Sequence, residues 1–500
     1  MKIKQLQLQN YGRFEDLTID FAPTEDRASN VTVIVGNNGA GKSQILQALA
    51  TGLSWFLDLF KGKENKFGSS IDISQINNKF DKASIEISLL NRFERSLNWS
   101  VTTVKDRLPN WTSSNLQNGN NLDELFSNYF RDYELGLISS LPLIVYYSDS
   151  RDINHKPFNW NESFTTNILT GYENALSAGL SYNQFFQWFR DIEDIENETI
   201  LLGFDKQTKE EMPYLRNIQL LRLEEQDLEN QLEFSEGLDR AKIYTHLGEI
   251  KEQIFHAEQE FERITKNLDD YKATINYQGK PSLNAVRKSI EYFTEFKNPR
   301  IRRQGTPTMI VEKDGEELDV NQLSQGEKSL LALVGDIARR LAILNPSLDD
   351  PLQGEGVVMI DEVDLHLHPK WQHDLIDKLV RTFPNVQFIL TTHSPLIVSD
   401  SPNILVYSLE NGNLHKTKNI YGEDANTLLN NIFDVPVRTP EVENDFNNIR
   451  RAISNQEFEI ADNLINSIAK KVASGNTELL KVKLLLAQAK LAQKSATNLG

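Results

Sequence analysis

An apolar, β-branched run, Val31-Thr32-Val33-Ile34-Val35, leads without a break into Gly36-Asn37-Asn38-Gly39-Ala40-Gly41-Lys42-Ser43, and helical text follows over residues 43–53. Strand, glycine loop and helix in that order demand an α/β core, because the helix must fold back onto the strand that feeds it. The glycines let backbone N–H groups converge on one point, and the helix begins there with the positive end of its dipole. Such a turn is built for phosphate. Lys42 supplies a charge for the β and γ oxygens, and Ser43 a hydroxyl for a magnesium ion. Gly36, Asn37, Asn38, Gly39, Ala40, Gly41, Lys42, Ser43 and the adjoining Gln44 are therefore candidate ATP contacts.

Three further strings complete the chemistry. Val357-Val358-Met359-Ile360 is a second apolar strand and ends in Asp361-Glu362, which puts two carboxylates at the rim of a sheet. Asp361 there is placed to hold magnesium through water, and Glu362 to orient an attacking water as general base. His393 follows another strand, Phe388-Ile389-Leu390-Thr391-Thr392, and is a candidate γ-phosphate sensor. Leu323-Ser324-Gln325-Gly326-Glu327-Lys328 opens a helix, and a hydroxyl with glycine N–H groups at a helix start is also an anion site. The phosphates on Lys42 already have a cradle. Ser324, Gln325, Gly326 and Glu327 therefore imply a second protomer, with two chains enclosing two ATP molecules. His366 and His368, in Asp364-Leu365-His366-Leu367-His368-Pro369, suit a tight loop at a subunit boundary better than a zinc site.

The 500 residues suggest two or three packed units, and the absence of cysteine excludes disulfides and thiolate metal sites and suits a reducing cytoplasm. The opening residues lack the continuous apolar core of a secretion signal, and no run approaches the roughly 20 apolar residues that span a bilayer, so no membrane partner is expected. A net charge of −18 repels phosphate backbones unless basic residues cluster locally. One cluster, Lys297, Arg300, Arg302 and Arg303, could bind backbone phosphate, but is read first as a solvated turn or a contact with the chain's own acidic surface.

Residues 1–150 and 301–420 form the two parts of the α/β head. Residues 65–128 look like loops and edge strands, with one strand at 83–90, and Leu141-Pro142-Leu143-Ile144-Val145-Tyr146-Tyr147 is a buried strand. Helical text fills 151–300. Leu247, Ile250, Ile254, Ala257, Phe261, Ile264, Leu268 and Tyr271 recur at alternating spacings of three and four, while Ile218, Leu221, Leu228 and Leu232 make a weaker seam broken by Glu225. A helical hairpin over about 210–275 follows, bent between Phe234 and Leu247, with arms of roughly 25 residues, on the order of 40 Å; the alternative is that these helices pack on the globular body. Residues 421–500 are helical, with apolar spacing over 441–472 and 477–494, and are the expected partner-binding region.

The order of phosphate loop, helical insertion, Ser324 turn, acidic strand and His393 resembles the ATP-binding-cassette ATPases of the SMC, RecF and OLD type over roughly residues 1–420. The implied fold is an α/β ABC-type, SMC- and RecF-like P-loop ATPase head with a helical, short coiled-coil insertion and a C-terminal helical extension. Gln184-Phe185-Phe186-Gln187-Trp188-Phe189-Arg190-Asp191-Ile192-Glu193-Asp194 and the stretch from Asp364 to Gln372 look like the PtuA ATPase of bacterial Septu anti-phage systems, some associated with retrons. That resemblance implies ATP hydrolysis with magnesium, a dimer at least, a separate HNH nuclease of PtuB type, and in retron versions a reverse transcriptase with its RNA–DNA product, msDNA. It places nucleotide contacts on 36–43, the signature on 323–327, the D-loop on Asp364, the switch on His393 and an early basic contact on Arg13. The chain departs from the family after Tyr147, where Ser148-Asp149-Ser150 replaces a glutamine, so Asp149 is a further candidate metal ligand. It also lacks the Toprim nuclease of OLD proteins. The alternative is a DNA-repair or DNA-clamp ATPase of the SMC or RecF kind; a transporter engine shares the motifs but not the insertion.

Overall fold

A computed structural model describes residues 1–60, 68–105, 112–134, 140–149, 167–177, 182–233, 236–277, 281–417, 420–433, 438–473 and 475–497. The chain opens with strands β1 (Lys2–Tyr11) and β2 (Phe14–Asp20), then β3 (Val31–Gly36) and helix α1 (Lys42–Leu59). Over residues 65–128, expected as loops and edge strands with one strand at 83–90, stand β4 (Lys82–Leu90), β5 (Ser96–Lys105), β6 (Thr112–Gln117), which is an edge strand, and the start of α2 (Gly119–Glu134). The strand at 83–90 stands as expected, whereas β5 and α2 were hidden by the polar Asn and Ser composition. Leu97, Trp99, Val101 and Thr103 nonetheless alternate inward along β5, and it is this alternation, not mean hydropathy, that makes a half-buried strand.

After β7 (Leu143–Tyr147) come α3 (Tyr182–Glu233), α4 (Gly237–Tyr277) and α5 (Pro281–Thr294). The remainder of the head is β8 (Lys297–Arg302), β9 (Thr308–Lys313), β10 (Glu316–Asp319), α6 (Gln325–Leu344), β11 (Gly356–Ile360), α7 (Pro369–Thr382), β12 (Val386–Thr392), α8 (Pro395–Ser399), β13 (Leu405–Glu410) and β14 (Asn413–Thr417). Helices α9 (Ala425–Asn431), α10 (Pro440–Ser454), α11 (Phe458–Ile468) and α12 (Thr477–Thr497) end the chain.

The central sheet has the order β14-β13-β3-β12-β11-β7, all parallel except β14. Its registers pair Thr392 with Val35, Leu390 with Ile360, and Ile360 with Tyr147. Thus the carboxyl ends of β3, β12, β11 and β7 fall side by side, and whatever follows each strand meets at one edge, where ligands of open α/β sheets bind. A second, antiparallel sheet runs β2-β1-β4-β5-β6. Helix α1 packs against strands of both sheets, which is why Ile45, Leu46, Ala48, Leu49, Leu53 and Phe56 are buried around most of its circumference. The buried Gln387 stitches the sheets: it accepts from the Ile3 N–H (2.7 Å) and donates to the carbonyls of Ile3 (2.8 Å) and Ala22 (2.7 Å).

The helical insertion differs from the expectation in the length of its arms, while its ends pack on the head as the alternative had it. Its arms are longer, 52 residues for α3 and 41 for α4, the latter about 60 Å at the usual rise per residue. Its ends are not separate from the head: Phe185, Trp188 and Phe189 of α3 and Leu283, Val286 and Ile290 of α5 belong to the main core. Leu228, Leu247, Ile250 and Ile254 are the buried seam of the hairpin, with Leu221 and Ile243 against them. The side chains of Ile264, Leu268 and Tyr271 lie outside the described residues. Glu225, which interrupts the seam in sequence, pairs with Lys251 (3.6 Å) across the hairpin.

The basic cluster lies on and beside β8 against acidic neighbours: Arg300 pairs with Glu317, Arg302 with Asp319 (3.5 Å), and Arg303 with Glu193 (3.0 Å) and Asp194 (2.6 Å). These pairs match the reading as contact with the chain's own acidic surface. At the C-terminus Phe446, Ile449, Ala461, Ile465, Leu479 and Val482 build a separate small core. The 441–472 stretch is two helices rather than one, broken where Gln456 takes a φ of 62°. Among the described residues no helix is long and apolar enough to cross a membrane.

Candidate nucleotide-binding site

The loop after β3 is shaped by backbone before side chains matter. Gly41 has a φ of 107°, and a Cβ there would stand 2.6 Å from the Phe14 ring, so only glycine lets the loop close onto β2. Arg13 reaches this loop from the β1–β2 turn: its guanidinium donates to the Gly39 carbonyl and its N–H to Gln44 Oε1 (3.3 Å). Lys42 is the first residue of α1 and buried. Its Nζ donates to the carbonyls of Gly36 (2.9 Å) and Asn37 (3.2 Å) and lies 2.9 Å from His393 Nε2. Burial lowers the Lys42 pKa, opposed by the charges of Asp361, Glu362 and Asp364. Burial, then the Lys42 charge, lowers that of His393. A neutral His393 with its proton on Nδ1 is the tautomer that accepts from the ammonium. Ser43 and Gln44 follow on the first turn, half-buried.

The acids arrive from β11. The Asp361 N–H donates to the Tyr147 carbonyl (2.8 Å), which continues the β7 pairing by one residue beyond the strand. Glu362 turns off the sheet with a left-handed φ of 46°, and one of its carboxylate oxygens sits 3.8 Å from His393 Nε2. Thr391, fully buried at the end of β12, holds both acids: its hydroxyl accepts from the Glu362 N–H (2.7 Å) and donates to the Asp361 carboxylate. The neighbouring Thr392 hydroxyl donates to Asp364 (2.5 Å), as does the His393 N–H (3.3 Å). Neither threonine was singled out from sequence. The signal was their place immediately before His393, on the strand paired with that of Asp361. Asp149 is exposed on the loop after β7, one strand over from Asp361.

One sheet edge thus gathers Arg13, the 36–44 loop, Asp361, Glu362, Asp364 and His393. The fourth string is held elsewhere. Ser324 caps α6 in a capping box: its N–H and hydroxyl both donate to Glu327 Oε2 (2.8 Å each), and the Glu327 N–H returns to Ser324 Oγ (3.4 Å). A Cβ on Gly326 would collide with the His366 carbonyl, so the turn packs directly on the Asp364 loop. His368 caps α7, its Nδ1 accepting from the Lys370 N–H (3.2 Å). Beside Ser324 opens a cavity of about 960 Å³ lined by Phe296, Lys313, Gly326, Glu327 and Trp371 among others, and none of its lining comes from the 36–44 loop.

The donor set fits a triphosphate with a divalent ion: a buried ammonium, a helix N-terminus with a hydroxyl in its first turn, and a carboxylate at the adjoining strand end.

Comparison with known proteins agrees. The AAA ATPase domain family matches residues 1–398. The retron Vc95 probable ATPase of Vibrio cholerae is 34% identical over 411 residues, 80% of this chain and 71% of that protein. The retron Ec83 probable ATPase of Escherichia coli is 31% identical over 452 residues, 88% of this chain and 78% of that protein. A Septu protein PtuA of Bacillus mycoides is 40% identical over 77 residues, 15% of this chain and 10% of that protein. The chain is a nucleotide-binding ATPase and belongs, with the retron ATPases, to the AAA ATPase domain family.

Proposed function

We propose that this chain works as an ATP-bound pair that controls a separate HNH nuclease of PtuB type in bacterial anti-phage defence, together with a retron reverse transcriptase and its RNA–DNA product. The retron and Septu names of its relatives support the setting. The observation that carries the chemistry is the convergence of Lys42, His393, Asp361, Glu362 and Asp364 on one edge, while the Ser324 turn borders a different cavity.

Lys42 gives up its contacts with the Gly36 and Asn37 carbonyls to bind β and γ oxygens, and the loop N–H groups and Arg13 hold the rest of the polyphosphate. Ser43 and Asp361, with Asp149 in reach of the same edge, would hold magnesium, which offsets charge on the phosphates. Glu362, steadied through its backbone by Thr391, accepts a proton from the attacking water. His393 meets the γ-phosphate with the ring nitrogen that now faces Lys42. Ser324, Gln325 and Gly326 of a second chain close over that phosphate, with Asp364 at the boundary. The C-terminal helices α10–α12, which have their own core, are the docking element for the nuclease.

The test is gel filtration of the Glu362→Gln chain with and without ATP, followed by nuclease assays with the partner. An ATP-dependent pair that switches nuclease activity is expected. An elution volume indifferent to ATP sinks the paired mechanism. Truncation at Thr439 that leaves the nuclease bound removes the docking role of the tail.

A second reading, a DNA clamp or repair ATPase, is favoured by the α3–α4 hairpin, whose arms exceed those read from sequence. ATP-dependent retention on circular DNA without any partner would support it.

A further inference from the structure

The Ser324 turn already satisfies its own helix N-terminus: the positive end of α6 is met by a carboxylate inside the first turn, which any further anion must face. Glu327 is buried and both its oxygens are engaged. Oε2 accepts from the Ser324 N–H and hydroxyl, and Oε1 accepts from Lys313 Nζ at 2.6 Å. Burial by itself raises the Glu327 carboxyl, but Lys313 and Ser324 together hold it below the usual range. Lys313 does not belong to α6. It ends β9 in the small β10-β9-β8 sheet, its ammonium 5.9 Å from the Phe296 ring, on the wall of the cavity beside Ser324.

We propose that Lys313 is a positioning residue of the shared nucleotide site: it cancels the Glu327 charge and thereby lets the Ser324 turn accept a partner chain's phosphate. This rests on the reading of that turn as half of a shared site. Two effects follow from the geometry. Without the ammonium, the Glu327 carboxylate would face an incoming triphosphate with its charge uncompensated, and like charges repel. In addition, the Ser324 hydroxyl proton is committed to Glu327, so a phosphate oxygen must win it. A carboxylate that shares its charge with Lys313 is the weaker competitor.

The experiment uses the full chain and reads two quantities: the affinity of the dilute single chain for a fluorescent ATP analogue, and the ATP concentration that half-saturates pairing in sedimentation. Lys313→Met is expected to leave the first unchanged and raise the second about tenfold. Lys313→Arg keeps pairing. Adding Glu327→Gln to Lys313→Met restores most of it, because the amide oxygen still accepts from Ser324 and no stray charge remains. An unchanged affinity of the dilute single chain for the analogue shows that Lys313→Met is folded. Loss of pairing that Glu327→Gln fails to restore makes Lys313 a packing residue only and overturns the proposal. If Ser324→Arg abolishes pairing while Lys313→Met does not, the proposal falls and the shared site stands. If neither variant changes pairing, the shared site falls and takes the proposal with it.

Discussion

Two helix N-termini of this chain, both assigned to phosphate on the proposed reading, are finished in opposite ways. At α1 the cation, Lys42, sits in the helix's first turn, and the acids Asp361, Glu362 and Asp364 come from another strand and the loop after it. At α6 the acid, Glu327, sits in the first turn, and the cation, Lys313, comes from a strand of another sheet. The first end keeps the buried Lys42 beside His393, both with burial opposing their charged forms, and three carboxylates that favour the Lys42 charge. The second is charge-balanced and offers chiefly a hydroxyl and N–H groups. Such an end is too weak to collect a triphosphate alone, but it suits one whose charge has already been met elsewhere. On the proposed reading, the contrast teaches that two turns of similar shape would divide capture from closure by where their counter-charges are anchored.

The largest effect expected concerns how α6 is held. Asp336 is buried on α6 and receives Arg339 (2.6 Å), Arg340 (2.7 Å) and the Tyr147 hydroxyl (2.8 Å), while Arg340 also donates to the Gly171 (2.8 Å) and Glu173 (3.0 Å) carbonyls. Asp336→Ala strands two buried cations and should cost about 3 to 5 kcal/mol in urea unfolding. A loss near zero would mean that α6 is not anchored to β7, and the closing turn would lose its rigid base. Lys42→Ala comes next: ATP hydrolysis should fall about a hundredfold or more, as when a preorganised charge is removed from a reacting centre. Retained turnover would erase the distinction between capture and closure. Thr391→Val removes the hydroxyl shared by Asp361 and the Glu362 N–H, and should cost about 1 to 3 kcal/mol of stability while slowing hydrolysis more than it weakens nucleotide binding. Equal loss in both would make Thr391 merely structural.

The smallest effect is in pH. The His393 pKa is lowered in the folded chain, so between that value and the ordinary His pKa of about 6.5 the unfolded chain binds the proton more readily. Stability is therefore complete above about pH 6.5 and declines as pH falls below it. The decline should shrink in His393→Gln, whose denaturation midpoints across that range check the assignment.

Much of the Lys42 end was legible in sequence because its parts are short runs: an apolar strand, glycines, a lysine and a hydroxyl, then acids or a histidine directly after two further strands. Each constrains only its own backbone, and parallel registers bring the strand ends together. The partners that hold those groups were not legible. Thr391, Thr392 and Lys313 are ordinary strand residues until a register places them against Asp361, Asp364 and Glu327. The length of α3 was missed for a related reason: its N-terminal apolar residues, among them Phe185, Trp188 and Phe189, pack into the main core and not along the hairpin seam, so the seam spacing does not extend to them.

The sequence by itself determined the phosphate loop, the acidic strand end, the helix-opening serine and a hairpin seam, since each depends on neighbours a few residues apart. Tertiary structure decided which carboxylate meets which hydroxyl, that β5 and β6 widen the second sheet, that the insertion's ends enter the main core, and that the Ser324 turn borders a separate cavity. Those outcomes depend on which distant segments share a register or a packing face, and burial and charge are settled only when such segments meet.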